Sequence, residues 1–415
     1  MRFAIPALLL ISLTQTVSAQ QVMQLTFEDP LPETAQTAES VRLAQPGPRP
    51  PEYPGFSATN QAVHLGGKGA RIMITDPGDD SIYDFGEGDE VTLEAWVQLD
   101  KSAGGSGTRT IISKGRTHQP GFPKDNQNWA LRLSTGDGLA RLNFLFATSP
   151  KPNSAHWHRW TSDSGFQVDS GWHHIAIVYR FGEPGSLQGW VDGLKLSGTW
   201  DLGGPTTESP VPDNDAIWIG SSMAGNAGNS MIGSIDEIRI HRRRLSEAQI
   251  TARFQRVGGP RVLIPLPPEM PQLGTLARNK VTVILSEGMA SERRWQHLGE
   301  PTPEPQLHYA TPSMLLGRIP ARFDSTGIRT GWKAPLLVTM ATDAKLPAGQ
   351  LELLLRVRAL SRLWIDGQLI VETEPIVKQP PNGEEPVTPI PAPLVPGQRI
   401  PGYHQQQHLL TTELP

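Results

Sequence analysis

Short runs in which apolar and polar residues alternate recur along most of this chain. From Val91 to Leu99 every second residue is apolar, which is the period of a strand with one face in a core. Similar runs follow one another between turns rich in Gly, Pro and Asp. The pattern predicts an all-β protein whose first domain is a jelly-roll sandwich of two sheets.

One short helix is predicted at the end of this run of strands. Ser246 is a typical N-cap, and Gln249 three residues later completes a capping box. Leu245 and Ile250 have the spacing of a hydrophobic staple around the same turn. We therefore expect a helix to begin after Ser246 and to close the first domain.

Residues 1–19 have the pattern of a secretory signal peptide. Arg2 supplies the positive start, residues 4–13 the apolar stretch, and Ala19 ends a small-residue cleavage site. The apolar stretch is too short to span a bilayer, and no later stretch is longer. We expect cleavage near Ala19, export of the mature protein (to the periplasm, the cell surface or the medium) and no membrane insertion.

Changes in composition divide the rest of the chain into four parts. They are a jelly roll over 20–257, a Pro-rich linker over 258–273, a smaller β-sandwich domain over 274–374, and a Pro-rich segment with a tail over 375–415. A hairpin is predicted at Asp366-Gly367. The tail is typical of a strand, so we expect either a longer chain or a partner strand on another polypeptide.

Composition excludes several kinds of site. The 415 residues contain no cysteine, which excludes disulfides, thiolate metal sites and covalently attached haem. The formal net charge is −4, which gives no argument for a nucleic-acid partner. The 41 Gly and 39 Pro suit short strands joined by tight turns.

Several segments of the first domain resemble the laminin-G-like jelly rolls of the concanavalin A-like superfamily. They are TLEAWV (92–97), IISKG (111–115), GWHHIAIVY (171–179), GWVDG (189–193), IWIGSS (217–222) and GSIDEIRIHRRRLSEAQI (233–250). Two further segments, KGRTHQPGFPKDNQNWALRL (114–133) and HWHRWTSDSGF (156–166), are similar to large exported planctomycete multi-domain proteins. The resemblance implies a sandwich that binds glycans or proteins.

The second domain is weakly similar to PA14-type β-sandwiches through LLLRVRALSRLWIDG (353–367). Glycan-binding members of that family carry a paired-aspartate calcium motif before the final strand. This chain has Ala359-Leu360-Ser361 in that region instead. The resemblance implies a second β-sandwich, and the missing pair argues against calcium-dependent sugar binding by it.

Asp236 is the candidate metal ligand. It shares a strand face with three isoleucines that should point inwards, and a buried carboxylate is costly unless it is paired or metal-bound. In the jelly rolls that this chain resembles, this aspartate and an acid of the first strand hold a structural calcium ion. Glu28 or Asp29 would supply that acid here. The alternative is an Asp236 that is bonded to turn amides or to an arginine.

The HWHRW cluster at 156–160 is the candidate ligand site. We predict a loop there, in which Trp stacks on sugar rings while His and Arg bind hydroxyl or acidic groups. A neighbouring loop is expected to add hydrogen bonds from Asp and Asn. The candidate residues are His156, Trp157, His158, Arg159, Trp160, Asp125, Asn126 and Asn128. The alternative is that both tryptophans are buried under a long loop.

Motifs decide between the function classes. Glucanases of this superfamily need a strand with the motif Glu-x-Asp-x-x-Glu, and this sequence does not contain it. The sequence also lacks the Gly-x-Ser-x-Gly motif of serine hydrolases and a phosphate-binding glycine loop. We therefore expect no enzyme activity and no catalytic residue. The leading prediction is an exported glycan-binding module with a structural Ca²⁺. The alternative is a protein-interaction or scaffolding module of a larger exported assembly, with an extracellular protein as its partner.

Overall fold

The computed structural model describes residues 21–38, 40–292, 294–316, 319–346, 349–357, 360–373 and 406–414. The predicted signal peptide and the Pro-rich segment 375–401 lie outside the described residues. The described chain forms two compact units, of which the first ends at Leu263 and the second begins at Ile264.

The first unit is built from short strands and one α-helix. Its described strands, β1 to β16 in chain order, are Gln21–Leu25, Ala35–Thr37, Val41–Pro46, Gln61–Gly66, Ile72–Ile74, Glu90–Leu99, Gly107–Gly115, Gln127–Gly136, Leu139–Ala147, Trp157–Gln167, Trp172–Arg180, Gln188–Val191, Leu194–Leu196, Gly198–Leu202, Ile217–Ile219 and Ile232–His241. The α-helix, α1, is Glu247–Thr251, and the 3₁₀ turns are Lys101–Gly104, Pro184–Ser186, Met223–Gly225 and Ala227–Asn229.

These strands form two antiparallel sheets that pack face to face. The first sheet has the order β13-β12-β11-β6-β16-β4-β3, with β1 beside β16. The second sheet has the order β14-β10-β9-β8-β7-β15-β5-β2. Side chains from both sheets, such as Leu93 of β6 and Phe144 of β9, are fully buried in one core. The predicted all-β sandwich is confirmed.

Helix α1 begins where it was predicted to begin, directly after Ser246. The Ser246 side chain accepts from the Gln249 backbone N–H, and the Gln249 side chain accepts from the Ser246 backbone N–H, so the capping box is confirmed. Leu245 and Ile250 are buried in a small cluster with Trp190, on the side of the first sheet that faces away from the sandwich core. Among the described residues, no helix is long and apolar enough to cross a membrane.

A buried ionic cluster fixes the chain after α1 to the first sheet. Glu94 of β6 is fully buried and contacts His241 at 2.8 Å, Arg253 at 2.9 Å and His174 at 3.4 Å. Burial by itself would raise the pKa of the Glu94 carboxyl. The hydrogen bonds from the two histidines and the charge of Arg253 outweigh it and hold that pKa well below the usual range.

The second unit consists of smaller sheets, which form a second β domain. Its described strands, β17 to β25, are Val281–Glu287, Glu304–Thr311, Arg322–Phe323, Arg329–Thr330, Leu337–Ala341, Gly349–Val357, Arg362–Ile365, Gln368–Glu372 and Gln406–Leu414. β17 lies between β18 and β21, and β19 pairs with β20. The predicted hairpin at Asp366-Gly367 is confirmed, because β23 and β24 pair across it. The PA14-like resemblance of this unit stays a prediction.

The tail strand finds its partner within this chain. β25 pairs with β22 along its whole length, from Gly349 opposite Leu414 to Val357 opposite Gln406. The expectation that its partner lies on another polypeptide is therefore wrong for this strand.

Candidate functional site

The HWHRW cluster lies on a strand. β10 begins at Trp157 and pairs with β9 and β14, so the prediction of a loop is wrong from that residue onward. His156 lies just before β10, and its Nδ1 accepts from the Asn153 backbone N–H at 3.2 Å. Because side chains alternate along a strand, the cluster is divided between two faces.

The two tryptophans of the cluster have different environments. Trp160 is 4% exposed and belongs to the sandwich core, whereas Trp157 is half-buried on the opposite face of β10. His158 also points inwards, where its Nδ1 lies 2.9 Å from the Gly204 carbonyl oxygen. Trp160 and His158 therefore cannot contact a ligand on the outer face, and their assignment as ligand-binding residues is corrected. Trp157 and Arg159 remain candidates.

A hydrogen-bonded network of polar side chains crosses the outer side of the second sheet. Its links are Arg132 Nε to Asn143 Oδ1 at 2.9 Å, Asn143 Nδ2 to Thr161 Oγ1 at 2.8 Å, Thr161 Oγ1 to Asp201 Oδ2 at 3.1 Å, and Arg159 Nε to Asp201 Oδ1 at 2.7 Å. The network joins four neighbouring strands, β8, β9, β10 and β14. Each member holds the next in place, which gives a pre-ordered polar surface.

Trp157 lies beside this network. The guanidinium carbon of Arg116 lies 4.4 Å from the centre of the Trp157 ring, which is a cation–π contact. Arg116 also lies 3.5 Å from Asp125, whose side chain is mostly exposed. We call this surface the outer face and define it as Arg116, Arg132, Asn143, Trp157, Arg159, Thr161 and Asp201.

Asn126 and Asn128 hold a neighbouring loop rather than a ligand. Both are buried, and their side-chain amides donate to the Val211 carbonyl oxygen at 2.8 and 2.6 Å. Asn126 also donates to Asp213 at 2.8 Å. These contacts fix the segment before β15, so the two asparagines are corrected to structural residues. Asp125 stays at the edge of the outer face.

Arg132 is the most buried charge of the outer face, with 7% of its surface exposed. Burial, followed by the charges of Arg116 and Arg159, lowers the pKa of its guanidinium to about 9. It therefore remains positively charged at neutral pH. Neither Arg132 nor Asn143 was predicted. The signal in the sequence is a polar residue that alternates with apolar ones, namely Arg132 in WALRLS, and Arg141 and Asn143 in ARLNFLFAT.

Asp236 is fully buried on β16. The predicted face is wrong: a bulge between Asp236 and Arg239 places Asp236 opposite Trp96, outside the sandwich core that contains Ile238 and Ile240. Its Oδ2 accepts from the Asn60 side-chain amide at 2.7 Å, and its Oδ1 accepts from the Glu237 backbone N–H at 2.7 Å. Burial raises the pKa of the Asp236 carboxyl to about 8. The carboxylates of Glu237 and Glu28 act in the same direction, and the Asn60 amide opposes them. The carboxylate therefore has amide partners but no cationic one in the contacts described.

The surroundings of Asp236 fit a small cation in part. A Cβ added at Gly47 would lie 3.0 Å from both Asp236 Oδ2 and the Gln61 carbonyl oxygen, and closer still to the Asn60 amide nitrogen that donates to Asp236. A cation there would therefore have to displace the Asn60 amide. Glu28 Oε1 accepts from the Gln61 backbone N–H at 2.9 Å, while Asp29 is exposed. The described residues contain no group of three or more His, Asp or Glu side chains arranged for a metal ion. Backbone carbonyls would have to complete the oxygen set that Ca²⁺ prefers.

Residues 68–251 match the family model of the concanavalin A-like lectin/glucanases superfamily. The match covers the strands from β5 to β16, including every residue of the outer face. The first unit is therefore a concanavalin A-like sandwich. A search of curated proteins found no match to the chain.

Solved structures with similar folds share little sequence with this chain. The receptor-binding domain of botulinum neurotoxin D has a TM-score of 0.39 and 13% identity, and the match covers 56% of this chain and 52% of that one. The binding domain of Paraclostridial Mosquitocidal Protein 1 has a TM-score of 0.37 and 14% identity, with 57% and 52% covered. A Trypanosoma rangeli sialidase has a TM-score of 0.34 and 17% identity, with 53% and 29% covered. The chain spans about half the length of these binding domains.

Proposed function

We propose that this protein is an exported, non-catalytic module that binds polysaccharide through the outer face. The observation that carries the proposal is the outward position of Trp157 and Arg159 beside the polar network of the second sheet. An indole offers an apolar surface for a sugar ring, and fixed amide, hydroxyl and guanidinium groups bind hydroxyls. Because the groups are held by each other and by four strands, binding requires little ordering.

Replacing Trp157 with Ala is expected to weaken polysaccharide binding by at least about tenfold, because aromatic anchors dominate such surfaces. The measurement is a polysaccharide array probed with the full chain, followed by isothermal titration against the strongest hit. Leu194→Ala is the matched control, because Leu194 is an exposed apolar residue on the first sheet. Its binding should equal that of the unmodified protein.

Two results would contradict the proposal. If Trp157→Ala binds as well as the unmodified protein, the outer face is not the binding site. If the folded protein binds no polysaccharide on the array, the result favours an extracellular protein as the partner. The polysaccharide recovered after binding should also keep its length on a sizing column. Shortened chains would show that the protein is an enzyme.

We also propose that a Ca²⁺ ion binds beside Asp236 and supports the fold rather than the ligand. Asp236 and Glu28 would supply carboxylate oxygens, and the Gln61 carbonyl would complete part of the set. An ion there would compensate a buried carboxylate that now has amide partners. This site belongs to the first sheet, whereas the outer face belongs to the second sheet.

Calcium in excess over a chelator is expected to raise the melting temperature of the protein by about 5 °C or more. Asp236→Ala should abolish this rise, and Glu28→Gln should reduce it. Asp29→Asn is the matched control and should keep the full rise, because Glu28, which is equally exposed, is the acid that contacts Gln61 and acts on the Asp236 carboxyl. If calcium does not change the melting temperature of the unmodified protein, the proposal of a bound Ca²⁺ is wrong.

A further inference from the structure

The charge at the floor of the outer face has no paired carboxylate among the described residues. Arg132 has one described hydrogen-bond acceptor, Asn143, and no carboxylate among the described residues forms an ion pair with it. A buried charge without a partner is costly, because burial removes its hydration. A guanidinium has five N–H donors, so Arg132 retains donors for an additional acceptor.

Two more guanidiniums lie close enough to Arg132 to lower the pKa of its side chain, namely those of Arg116 and Arg159. Each has a carboxylate nearby that is itself well exposed, Asp125 for Arg116 and Asp201 for Arg159. Among these five side chains three positive charges face two negative ones. The Asp201 carboxylate also acts on Arg132, but its hydrogen bonds go to Arg159 and Thr161. The excess lies at Arg132, the most buried of the three.

We infer that the polysaccharide bound by the outer face is anionic, with a carboxylate or sulfate group that pairs with Arg132 while a neighbouring sugar contacts Trp157. This inference rests on the proposed function and names its class of ligand. Arginine forks bind carboxylate and sulfate oxygens through paired N–H donors, which a neutral hydroxyl cannot match in strength. The network through Asn143 keeps the Arg132 fork in one orientation.

Polysaccharides that differ only in charge test this inference. Polygalacturonate is compared with its fully methyl-esterified form, and dextran sulfate with dextran, by affinity electrophoresis and titration of the full chain in about 0.15 M salt. One charged member should bind about tenfold more tightly than its neutral counterpart. Arg132→Met should remove this preference, so that the charged and the neutral member bind equally.

Control variants separate a specific site from general attraction of charge. Arg244→Met removes an equal charge from an exposed position near α1 and should keep the preference. Arg116→Met is the second test variant and decides the matter if Arg132→Met does not fold, which circular dichroism reports. It should reduce the preference several-fold, because it removes one of the three charges.

Each outcome has one meaning. Equal binding of charged and neutral members, or a preference that survives in Arg132→Met, overturns the inference but leaves glycan binding intact. Absence of binding to all four polymers overturns the proposed function itself. Polyglutamate that binds as tightly as the charged polysaccharide overturns the sugar part of the inference and makes an acidic peptide the ligand.

Discussion

Replacing Glu94 with Gln is expected to lower the free energy of unfolding by about 3 to 5 kcal/mol at neutral pH, because it leaves the Arg253 guanidinium and two buried imidazoles without the carboxylate that they contact. The carboxylate contacts His174 and His241 on the neighbouring strands β11 and β16, and Arg253 in the chain that follows α1. Urea unfolding followed by circular dichroism measures the loss. Glu87→Gln is the matched control, since Glu87 is exposed, and should change stability by less than about 0.5 kcal/mol.

The pH dependence of this loss has a definite sign. The pKa of Glu94 is lower in the folded protein than in the unfolded chain, so its contribution is full above the unfolded value of about 4.5. The contribution disappears as the pH falls from there towards the folded value. The gap between the unmodified protein and Glu94→Gln should therefore shrink below pH of about 4.5. A gap that is small at pH 7, or constant with pH, would contradict the ionic cluster.

Trp160→Ala is expected to cost about 3 to 5 kcal/mol of stability, whereas Trp157→Ala should cost much less, because Trp160 fills the core. The fit around Trp160 is tight: a Cβ at Gly189 would lie 2.8 Å from its ring, and one at Gly198 closer still. No neighbour can expand easily into the space that Ala would leave. The comparison uses urea unfolding of both variants under identical conditions.

The same pair of variants separates stability from binding. At a temperature where both are folded, Trp160→Ala should bind polysaccharide almost as well as the unmodified protein, and Trp157→Ala should not. The opposite result, in which a folded Trp160→Ala loses binding and Trp157→Ala keeps it, would contradict the division of β10 into a core side and an outer side.

Patterns within single elements predicted much of the fold. The alternation in β6 and the capping box at Ser246 are local, because the residues that decide them lie within one strand or one turn. The same alternation gave the wrong face for Asp236, because a bulge between Asp236 and Arg239 interrupts the period of β16. Its partner Asn60 lies 176 positions away in the sequence and follows only from the pairing of β4 with β16.

The outer face was only partly predictable, for the same physical reason. Trp157 and Arg159 were identified from their local density of aromatic and basic residues. Because a loop was predicted there, the alternation of a strand was not applied to the cluster, and the inward position of Trp160 was missed. Arg132 and Asp201 come together because β8, β9, β10 and β14 are neighbours in the second sheet. The order of strands in a sheet cannot be predicted from any single segment of the sequence.

The most direct test of the central claim locates the bound ligand on the protein. The full chain is labelled by hydroxyl radicals with and without a bound polysaccharide, and peptides are compared by mass spectrometry. The account predicts protection of Trp157 and its neighbours on β10 and β14, with no change at Leu194 or Ile82 of the same unit. Protection elsewhere, with β10 unchanged while the polysaccharide is bound, would contradict the outer face as the binding site.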